Sequence, residues 1–433
     1  MMRRLSLTLY NLLFIPLVLI LLPSYLLRIW KRGGYQDKFA QRFGIIDEKT
    51  AARISVGRIW LHAVSVGEVG IALKFATEFH ARNPASQFLI STTTSTGLAI
   101  LNRHAAEWLE PLASPIDFPI ITRCLVRKLQ PLALLMIEAD LWPNRIAACK
   151  ALGIPVALLN ARLSQRSEKR FRWARAITAP LFNQLDLITL TEKEDLARWI
   201  SLGVRNEILH WTGNIKYDTH STPAPPPFKL PSFLGWNPED PILLAASTHQ
   251  GEEEEIAQAF LMLRKEFPSL RLMIAPRHVE RRASILNSLE QLGLSVALRS
   301  SEKQEKSDIL LLDTTGELSE WYQLATIVFV GKSLPSSLNK GGQNMIEPLQ
   351  SGTAVLIGPH TGNFEPLATQ LCTAKAMRRV DNQEMLITAI RELLLNPNLK
   401  VQMIETGKKV LEIHQNATIR NCEFVEQILT SAL

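Results

Sequence analysis

From residue 58 onward, short apolar runs alternate with stretches whose apolar residues have helical spacing, and this alternation constrains the fold more than any other feature. Runs such as IWLHAV at 59–64 and LALLMIE at 132–138 have the length of strands. Parallel strands buried on both faces have this near-continuous apolar pattern, and they need crossover connections that are usually helical. The chain is therefore predicted to adopt an α/β fold built on parallel sheets.

One segment interrupts the alternation. The Pro-rich sequence THSTPAPPPFKLP at 219–231 is typical of a semi-rigid linker with polyproline character. The alternation then resumes with PILLAAS at 241–247, and helical patterns close the chain. A cleft between two such α/β domains is a common place for a ligand. The predicted boundaries are 36–218 for the first domain, 219–232 for the linker and 233–433 for the second domain.

The N-terminus differs from the rest of the chain. Residues 5–27 contain no charged side chain, and about 20 apolar residues are enough to cross a bilayer. More Lys and Arg residues follow this run than precede it, which places the body of the protein in the cytoplasm. We therefore predict a membrane anchor over 1–30. A cleaved signal peptide fits less well because no small-x-small cleavage site follows, and Pro16 and Pro23 leave open a bent helix in one leaflet.

Charge and cysteine content narrow the classes of function. The 433 residues carry a formal net charge of +7, which favours anionic partners such as nucleotides, phosphorylated substrates or acidic lipids. No basic tail, zinc-finger or RNA-binding signature is present, and this argues against nucleic acid as a partner. The four cysteines are scattered without a CxxC pair, so neither a metal site nor a disulfide framework is predicted.

The segment GGQNMIEPLQSG at 341–352 lies between two strand-like runs. Its glycine pair permits a tight turn, and a helix is predicted to open at Asn344 with Glu347 in its first turn. Helix starts at the carboxyl ends of parallel strands bind nucleotides and phosphates, and a carboxylate there can accept hydrogen bonds from a ribose. The alternative is that Asn344 only caps the helix and Glu347 only compensates its dipole.

Charged residues follow three strands of the first domain. Glu68 lies where the strand 59–64 gives way to a helix, a rigid position suited to a general base. The alternative is a capping box, with Ser65 as the N-cap and Glu68 three residues later. Glu138 ends a strand and could act as a base or orient a cation, or it could belong to ordinary helix-start chemistry. Lys216 could meet a negative group in the cleft, or it could be a solvated surface lysine.

Two further positions follow strands of the second domain. Arg277 comes after the strand RLMI at 271–274, where a guanidinium can bind phosphate or carboxylate. The segment TTGEL at 314–318 offers the backbone N–H groups of a helix start to an anion. The alternative for this segment is simple N-capping by Thr315.

These motifs, taken in order, resemble one family closely, the 3-deoxy-D-manno-octulosonic acid (Kdo) transferases of Gram-negative lipopolysaccharide synthesis. The resemblance covers essentially the whole chain, including the N-terminal run. It implies a GT-B glycosyltransferase whose two Rossmann-like domains face each other across a cleft, with the acceptor on the first domain and the donor on the second. The segments that carry it are HAVSVGE, STTTSTG, PIDFP, EADLWPN, NARLSQRS, GNIKYD, STHQGEEE, APRH, VGKSL and GGQNMIEPLQSG.

The resemblance also implies the reaction and the roles of residues. The reaction is transfer of Kdo from CMP-Kdo to a lipid A precursor (lipid IVA) with inversion, at the inner membrane on its cytoplasmic side. Because Arg277, Lys216 and helix-start N–H groups can offset the negative charge of the donor, and no DxD-like motif ends a strand, we predict that the reaction needs no metal or cofactor. Glu68 matches the family's general base, and Glu138 and Lys216 match positions that stabilise the transition state. Many members read ETELWPN, so Ala139 and Asp140 are a departure. The positions that match CMP-contacting segments are Pro276, Arg277, Gly316, Glu317, Leu318, Asn344, Met345, Ile346 and Glu347.

An acylated and phosphorylated acceptor requires a surface near the membrane. Basic residues cluster around Phe171 and Trp173, and we predict that they meet lipid phosphates at the bilayer surface. The alternative is an ordinary solvated helix face. The predicted basic residues of this surface are Arg162, Arg166, Lys169 and Arg170.

Two other classes of function remain open. Fold alone does not distinguish this family from another nucleotide-sugar enzyme of the same architecture, such as a UDP-sugar transferase or an epimerase. A non-catalytic two-lobed binding protein outside the membrane would need a cleavable signal and would give Glu68 no role. The sequence does not specify how many Kdo units are added.

Overall fold

The computed structural model describes residues 5–14, 16, 20, 23–24, 38–54, 56–138, 141–218, 228–301, 307–362 and 364–431. The chain divides into two units. The first comprises Met1–Ser221 together with His414–Leu433, and the second comprises Thr222–Ile413.

Among the described residues of the first unit, seven strands form one fully parallel sheet in the order β3-β2-β1-β4-β5-β6-β7. Successive side chains of a strand point to opposite faces, and both faces are covered with apolar groups. Trp60 and Leu134 belong to the core on one face, and Leu61 and Leu135 belong to the core on the other. The strands are β1 Ile59–Ala63, β2 Phe88–Thr92, β3 Leu109–Ala113, β4 Ala133–Ile137, β5 Val156–Ala161, β6 Leu187–Leu190 and β7 Leu209–Trp211.

Several helices of this unit begin at a residue that solves the problem of the unpaired N–H groups in a first turn. Such a residue either accepts one of these N–H groups through its side chain or, as proline, has no N–H group. Ser65 and Thr94 cap two of them through their hydroxyl groups, and Pro119 and Pro143 start two others. The helices are α1 Glu48–Arg53, α2 Val66–Arg82, α3 Ser95–Arg103, α4 Pro119–Leu129, α5 Pro143–Ala151, α6 Gln165–Trp173, α7 Arg175–Phe182 and α8 Asp195–Ser201.

The second unit repeats this plan. Within its described residues, seven parallel strands lie in the order β10-β11-β9-β8-β12-β13-β14. They are β8 Ile242–Thr248, β9 Arg271–Pro276, β10 Ala297–Leu298, β11 Ile309–Leu311, β12 Ile327–Val330, β13 Ala354–Ile357 and β14 Arg378–Arg379. Its helices are α9 Glu252–Arg264, α10 Arg282–Gln291, α11 Leu318–Tyr322, α12 Ile346–Gln350, α13 Leu367–Thr373, α14 Gln383–Leu395 and α15 Pro397–Glu412. The helix that follows in the chain, α16 Ala417–Thr430, belongs to the first unit.

In each sheet the strand order reverses at a pair of neighbouring central strands. In the first sheet the reversal lies between β1 and β4, and in the second it lies between β8 and β12. At such a point the connections of the two neighbouring strands leave to opposite sides, which opens a crevice at the carboxyl edge where α/β proteins bind ligands. The crevice positions are therefore the residues that follow β1 and β4, and those that follow β8 and β12.

The prediction of two α/β units with parallel sheets is confirmed, and three details are corrected. Strand β3 and helix α4 were not predicted. The basic stretch around Phe171 and Trp173, which was expected to present one helix face, forms two helices, α6 and α7, which meet at Ala174. The predicted second domain extends to residue 433, whereas His414–Leu433, with α16, belongs to the first unit. The predicted linker lies largely outside the described residues.

Of the predicted anchor, the structure describes residues 5–14, 16, 20 and 23–24. No helix in the described part of the chain has both the length and the apolar character needed to cross a membrane. The helical segment 5–14 contacts the rest of the first unit through polar side chains. Tyr10 donates its hydroxyl proton to Asp117 Oδ2 at 3.2 Å, and the amides of Asn11 and Asn144 exchange hydrogen bonds of 3.0 and 2.7 Å.

Candidate active site

Glu68 lies directly after β1, in the first turn of α2, at the reversal of the first sheet. Its Oε2 accepts a hydrogen bond from the Val64 N–H at 2.7 Å, and its Oε1 accepts one from the Ser65 hydroxyl at 2.9 Å. The Glu68 N–H donates in turn to Ser65 Oγ at 3.3 Å. This is a variant of the predicted capping box, because Glu68 accepts the N–H of Val64, one residue before the N-cap, instead of the N–H of Ser65 itself. The box fixes the orientation of the Glu68 carboxylate.

Glu138 occupies the matching position after β4, which is the hydrogen-bonded neighbour of β1. Its φ angle is +65°, a left-handed conformation that a residue with a side chain rarely adopts. Such a conformation costs on the order of 1–3 kcal/mol and is concentrated at functional sites. The neighbouring Ala139 and Asp140, where this sequence departs from the family pattern, lie outside the described residues.

Lys216 follows β7 at the same edge of the sheet and interacts electrostatically with two other predicted residues. It remains exposed to solvent. Even so, partial desolvation by the surrounding protein lowers the pKa of its ammonium group, Glu138 acts to raise that pKa, and Arg162 acts to lower it. The structure therefore gathers Glu138, Lys216 and Arg162 into one charged group beside the crevice that contains Glu68. Such a group can stabilise negative charge that develops on a bound substrate.

The other predicted basic residues lie apart from this group, on helix α6. Arg166, Lys169 and Arg170 are exposed, and Trp173 retains 91% of its surface. Phe171 instead packs against Phe182, with ring centroids 5.2 Å apart. The helix therefore turns its basic residues and one large aromatic ring to solvent. This arrangement suits a membrane surface, and it also suits the alternative of a solvated face.

A pocket of about 120 Å³ lies at the carboxyl edge of the second sheet, where β8, β9 and β11 end. Five of the nine residues predicted to contact the donor line it: Pro276, Arg277, Gly316, Glu317 and Leu318. The rest of the wall is formed by Ser247, Ala275, Val279, Leu312, Thr314, Thr315 and Trp321. Trp321, which also lines the pocket, is fully buried.

The charged residues of this pocket differ in their availability to a ligand. Glu317 accepts hydrogen bonds from Arg299 Nε at 3.0 Å and from Trp321 Nε1 at 3.5 Å, so it already neutralises a guanidinium. Arg277 is exposed, and no carboxylate among the described residues forms an ion pair with it. Gly316 has a φ of +92°, and a Cβ atom added there would meet open space. Arg277 is therefore the group best placed to bind an anion in the pocket.

The Asn344–Glu347 segment does not line the pocket. Helix α12 begins at Ile346 rather than at Asn344, because the side-chain oxygen Oδ1 of Asn344 accepts the Ile346 N–H at 3.0 Å in a local turn. Met345 and Ile346 are buried in the core, while Asn344 donates to Glu347 Oε1 at 2.8 Å. Glu347 nevertheless affects Tyr322 in helix α11. The pKa of Tyr322 is raised mainly by burial of its hydroxyl group and further by the negative charge of Glu347.

Several residues of the second sheet edge were not predicted as site residues. Glu252 is fully buried, and its carboxylate accepts N–H groups from His249, Lys332, Ser333 and Leu334 at 2.7–3.0 Å. It thereby ties together the loops that follow β8 and β12, where the sheet reverses. Burial, followed by the charge of Lys332, lowers the pKa of His249 to about 4. The run of four glutamates at 252–255 carries no signal that two of them, Glu252 and Glu253, are buried.

Comparisons with known proteins agree with this architecture. A family model described as 3-deoxy-D-manno-octulosonic-acid transferase matches residues 37–219. A 3-deoxy-D-manno-octulosonic acid transferase of Haemophilus influenzae is 30% identical over 403 residues, or 92% of this chain and 93% of that protein. One of Bordetella pertussis is 31% identical over 427 residues, or 94% of this chain and 97% of that protein.

A solved structure shares the fold at low sequence identity. It is a putative UDP-N-acetylglucosamine 2-epimerase of Listeria monocytogenes, with a TM-score of 0.57 and 12% identity over 87% of this chain and 98% of that chain. A likeness at this identity concerns the arrangement of strands and helices alone.

Proposed function

The chain belongs to the 3-deoxy-D-manno-octulosonic acid (Kdo) transferase family, and we propose that it transfers Kdo from CMP-Kdo to a hydroxyl group of the lipid A precursor lipid IVA. It is a glycosyltransferase of lipopolysaccharide synthesis with a GT-B-type α/β fold. One observation carries the proposal for the donor. Five of the nine residues proposed to contact the donor line a single pocket at the carboxyl edge of the second sheet.

The pocket suits the nucleotide part of the donor. The Arg277 guanidinium can donate two parallel hydrogen bonds to the phosphate of CMP. The left-handed turn at Gly316 lets the phosphate or ribose approach the backbone closely, since no side chain intervenes. A cation supplied by the protein can offset the negative charge of the leaving CMP, and we therefore propose transfer without a metal ion or other cofactor.

The first unit supplies groups suited to activating the acceptor. We propose that Glu68 removes the proton of the acceptor hydroxyl while that oxygen attacks the anomeric carbon from the face opposite the phosphate. The new bond to the sugar forms as the bond to CMP breaks, so the configuration at the anomeric carbon inverts. The capping box holds the carboxylate in one orientation, which favours proton transfer because little orientational freedom remains to be lost.

Glu138 and Lys216 are proposed to stabilise the transition state. The reacting sugar gains positive, oxocarbenium character, while the phosphate and the sugar's own carboxylate are negative. A carboxylate and an ammonium group that interact electrostatically with each other can oppose charges of both signs in the substrate. The unusual backbone conformation of Glu138 is a reason to place it near the substrate rather than in a purely structural role.

We propose attachment to the cytoplasmic side of the inner membrane through the N-terminal run. The uncharged sequence 5–27 and the exposed side chains of Leu5, Leu12 and Leu13 support this location. Helix α6 supplies a second contact, since each exposed Lys or Arg near an anionic bilayer contributes about 1 kcal/mol. Trp173 suits the interface between headgroups and acyl chains.

Donor selectivity tests the proposal directly. The full chain is incubated in detergent with a tetra-acylated lipid A precursor and either CMP-Kdo or UDP-N-acetylglucosamine, and release of CMP or UDP is measured. We expect CMP release that depends on the acceptor and no reaction of the UDP-sugar. Epimerisation or transfer of the UDP-sugar, with CMP-Kdo inert, would instead establish a different nucleotide-sugar enzyme of the same fold.

A further inference from the structure

Lys216 lies on a turn whose backbone is held by side chains from distant parts of the chain. Three successive N–H groups of this turn donate to side-chain acceptors. The Asn214 N–H donates to His414 Nδ1 at 3.3 Å, the Ile215 N–H to Asn160 Oδ1 at 2.8 Å, and the Lys216 N–H to Asn214 Oδ1 at 3.0 Å. One of these acceptors, His414, comes from the C-terminal segment that returns to the first unit.

Asn421 of helix α16 ties this turn to the sheet. Its Oδ1 accepts the hydroxyl proton of Thr189 at 2.6 Å, and its Nδ2 donates to Thr212 Oγ1 at 3.0 Å. Thr189 in turn accepts the Asn160 N–H at 2.8 Å. Asn421 is thus linked through Thr189 in β6 and Asn160 in β5 to the N–H of Ile215 in the turn. It also binds Thr212, which precedes the turn in the chain. We call this set of hydrogen bonds the circuit.

The circuit is buried, which makes its geometry specific. Asn421, Thr189 and Thr212 have no exposed surface, and Asn160 and His414 have 1% each. Removing one partner leaves a buried polar group unsatisfied, and that group can recover a bond only if the backbone moves. A second anchor lies just beyond Lys216, where the Asp218 carboxylate accepts the N–H groups of Asn416 and Thr418 at 3.1 and 2.7 Å.

We infer that Asn421 and His414 are positioning residues for Lys216, so that the C-terminal segment sets where the ammonium group meets the substrate. This inference rests on the proposed function, because it presumes that Lys216 acts on bound CMP-Kdo. In this role the C-terminal segment holds the turn and not the substrate. It acts through the backbone of the turn.

A double-mutant cycle tests the inference. The variants Asn421→Ala, Lys216→Ala and the double variant are prepared in the full chain, with Gln427→Ala on the exposed face of the same helix as the control. Asn421→Ala is expected to lower kcat about 10- to 100-fold, since a displacement of about 1 Å can cost 100-fold. In the Lys216→Ala background the same change should cost less than about twofold, because the residue through which it acts is gone. Gln427→Ala should behave as the unchanged chain.

Thr212→Val and Thr212→Ser keep the inference testable if Asn421→Ala does not fold. The valine removes the oxygen that Asn421 Nδ2 binds and should lower kcat, whereas the serine retains it and should restore kcat. Losses that multiply in the double variant would show a purely structural role and overturn the inference, as would full activity of Asn421→Ala. If Lys216→Ala itself transfers Kdo at the normal rate, the role proposed for Lys216 fails first, and the inference fails with it.

Discussion

Replacing Glu68 by Gln separates its two possible roles, that of a base and that of a cap. Gln can complete a capping box as Glu does, so its amide oxygen can still accept the Val64 N–H. An amide cannot take a proton from the acceptor hydroxyl. General base catalysis contributes about 10²- to 10⁴-fold, which corresponds to about 3–5 kcal/mol of transition-state stabilisation. We therefore expect kcat to fall by this factor while the melting temperature changes little.

Ser65→Ala is the matched control, because it removes the hydroxyl group that binds Glu68 and leaves the carboxylate. Loss of an N-cap costs about 1 kcal/mol, which lowers the melting temperature of a unit of this size by roughly 2–4 °C. Its turnover should stay within a few-fold of the unchanged chain. The assay combines kcat from CMP release, calorimetric melting and CMP binding. Near-normal turnover of Glu68→Gln, or an equal loss of turnover in both variants, would refute the assignment of Glu68 as base.

Three further predictions follow from the pocket, the C-terminal segment and helix α6. Arg277→Ala should raise KM for CMP-Kdo by roughly 10- to 100-fold, because a hydrogen bond to a charged group contributes about 1.5–3 kcal/mol. Steady-state kinetics measures this change, and the control Lys265→Ala, at an exposed position, should leave KM unchanged. Burial lowers the pKa of His414 to about 4, so the unfolded chain binds an extra proton between pH 4 and its ordinary value near 6.5. The contribution of His414 to the free energy of unfolding is therefore complete above pH 6.5 and is lost as pH falls toward 4. The melting temperature of His414→Gln should depend less on pH between 4 and 6.5 than that of the unchanged chain. An equal pH dependence of the two melting temperatures would contradict this. Reversing the charges of Arg166 and Arg170 should weaken binding to vesicles of anionic lipid at least tenfold, in a sedimentation assay where Lys265→Glu is the control, and equal binding would favour the solvated helix face.

The sequence was sufficient to predict the sheets wherever strand burial made an apolar run. Strands β1, β4 and β8 are nearly free of polar residues, so their positions and their helical neighbours could be read from the chain. Strand β3 could not, because Glu110 and Pro111 interrupt its apolar pattern. In the structure Glu110 is buried and paired with Arg53 at 2.9 Å, a contact between residues far apart in sequence that no local pattern reveals.

The candidate site was predictable at strand ends and unpredictable where long-range polar contacts decide it. Glu68, Glu138 and Arg277 follow strands, so parallel pairing alone brings them to the carboxyl edges of their sheets. Helix α16 has an ordinary amphipathic pattern, which shows that it packs but not against which sheet. Where it packs, it forms buried hydrogen bonds with distant residues. One of these bonds joins Asn421 to Thr189, which is 232 residues away in the sequence. Glu252 was missed for a similar reason, since its burial depends on backbone N–H groups some 80 residues away.

Analysis of the lipid product tests the central claim most directly. The full chain is incubated with CMP-Kdo and a tetra-acylated lipid A precursor, and the product is examined by mass spectrometry and by NMR of the anomeric centre. We predict a mass increase of one or more whole Kdo units, one CMP released for each unit, and an anomeric configuration opposite to that of the donor. A product of retained configuration would contradict direct attack assisted by Glu68, and recovery of unmodified lipid under conditions where CMP-Kdo binds would contradict Kdo transfer itself.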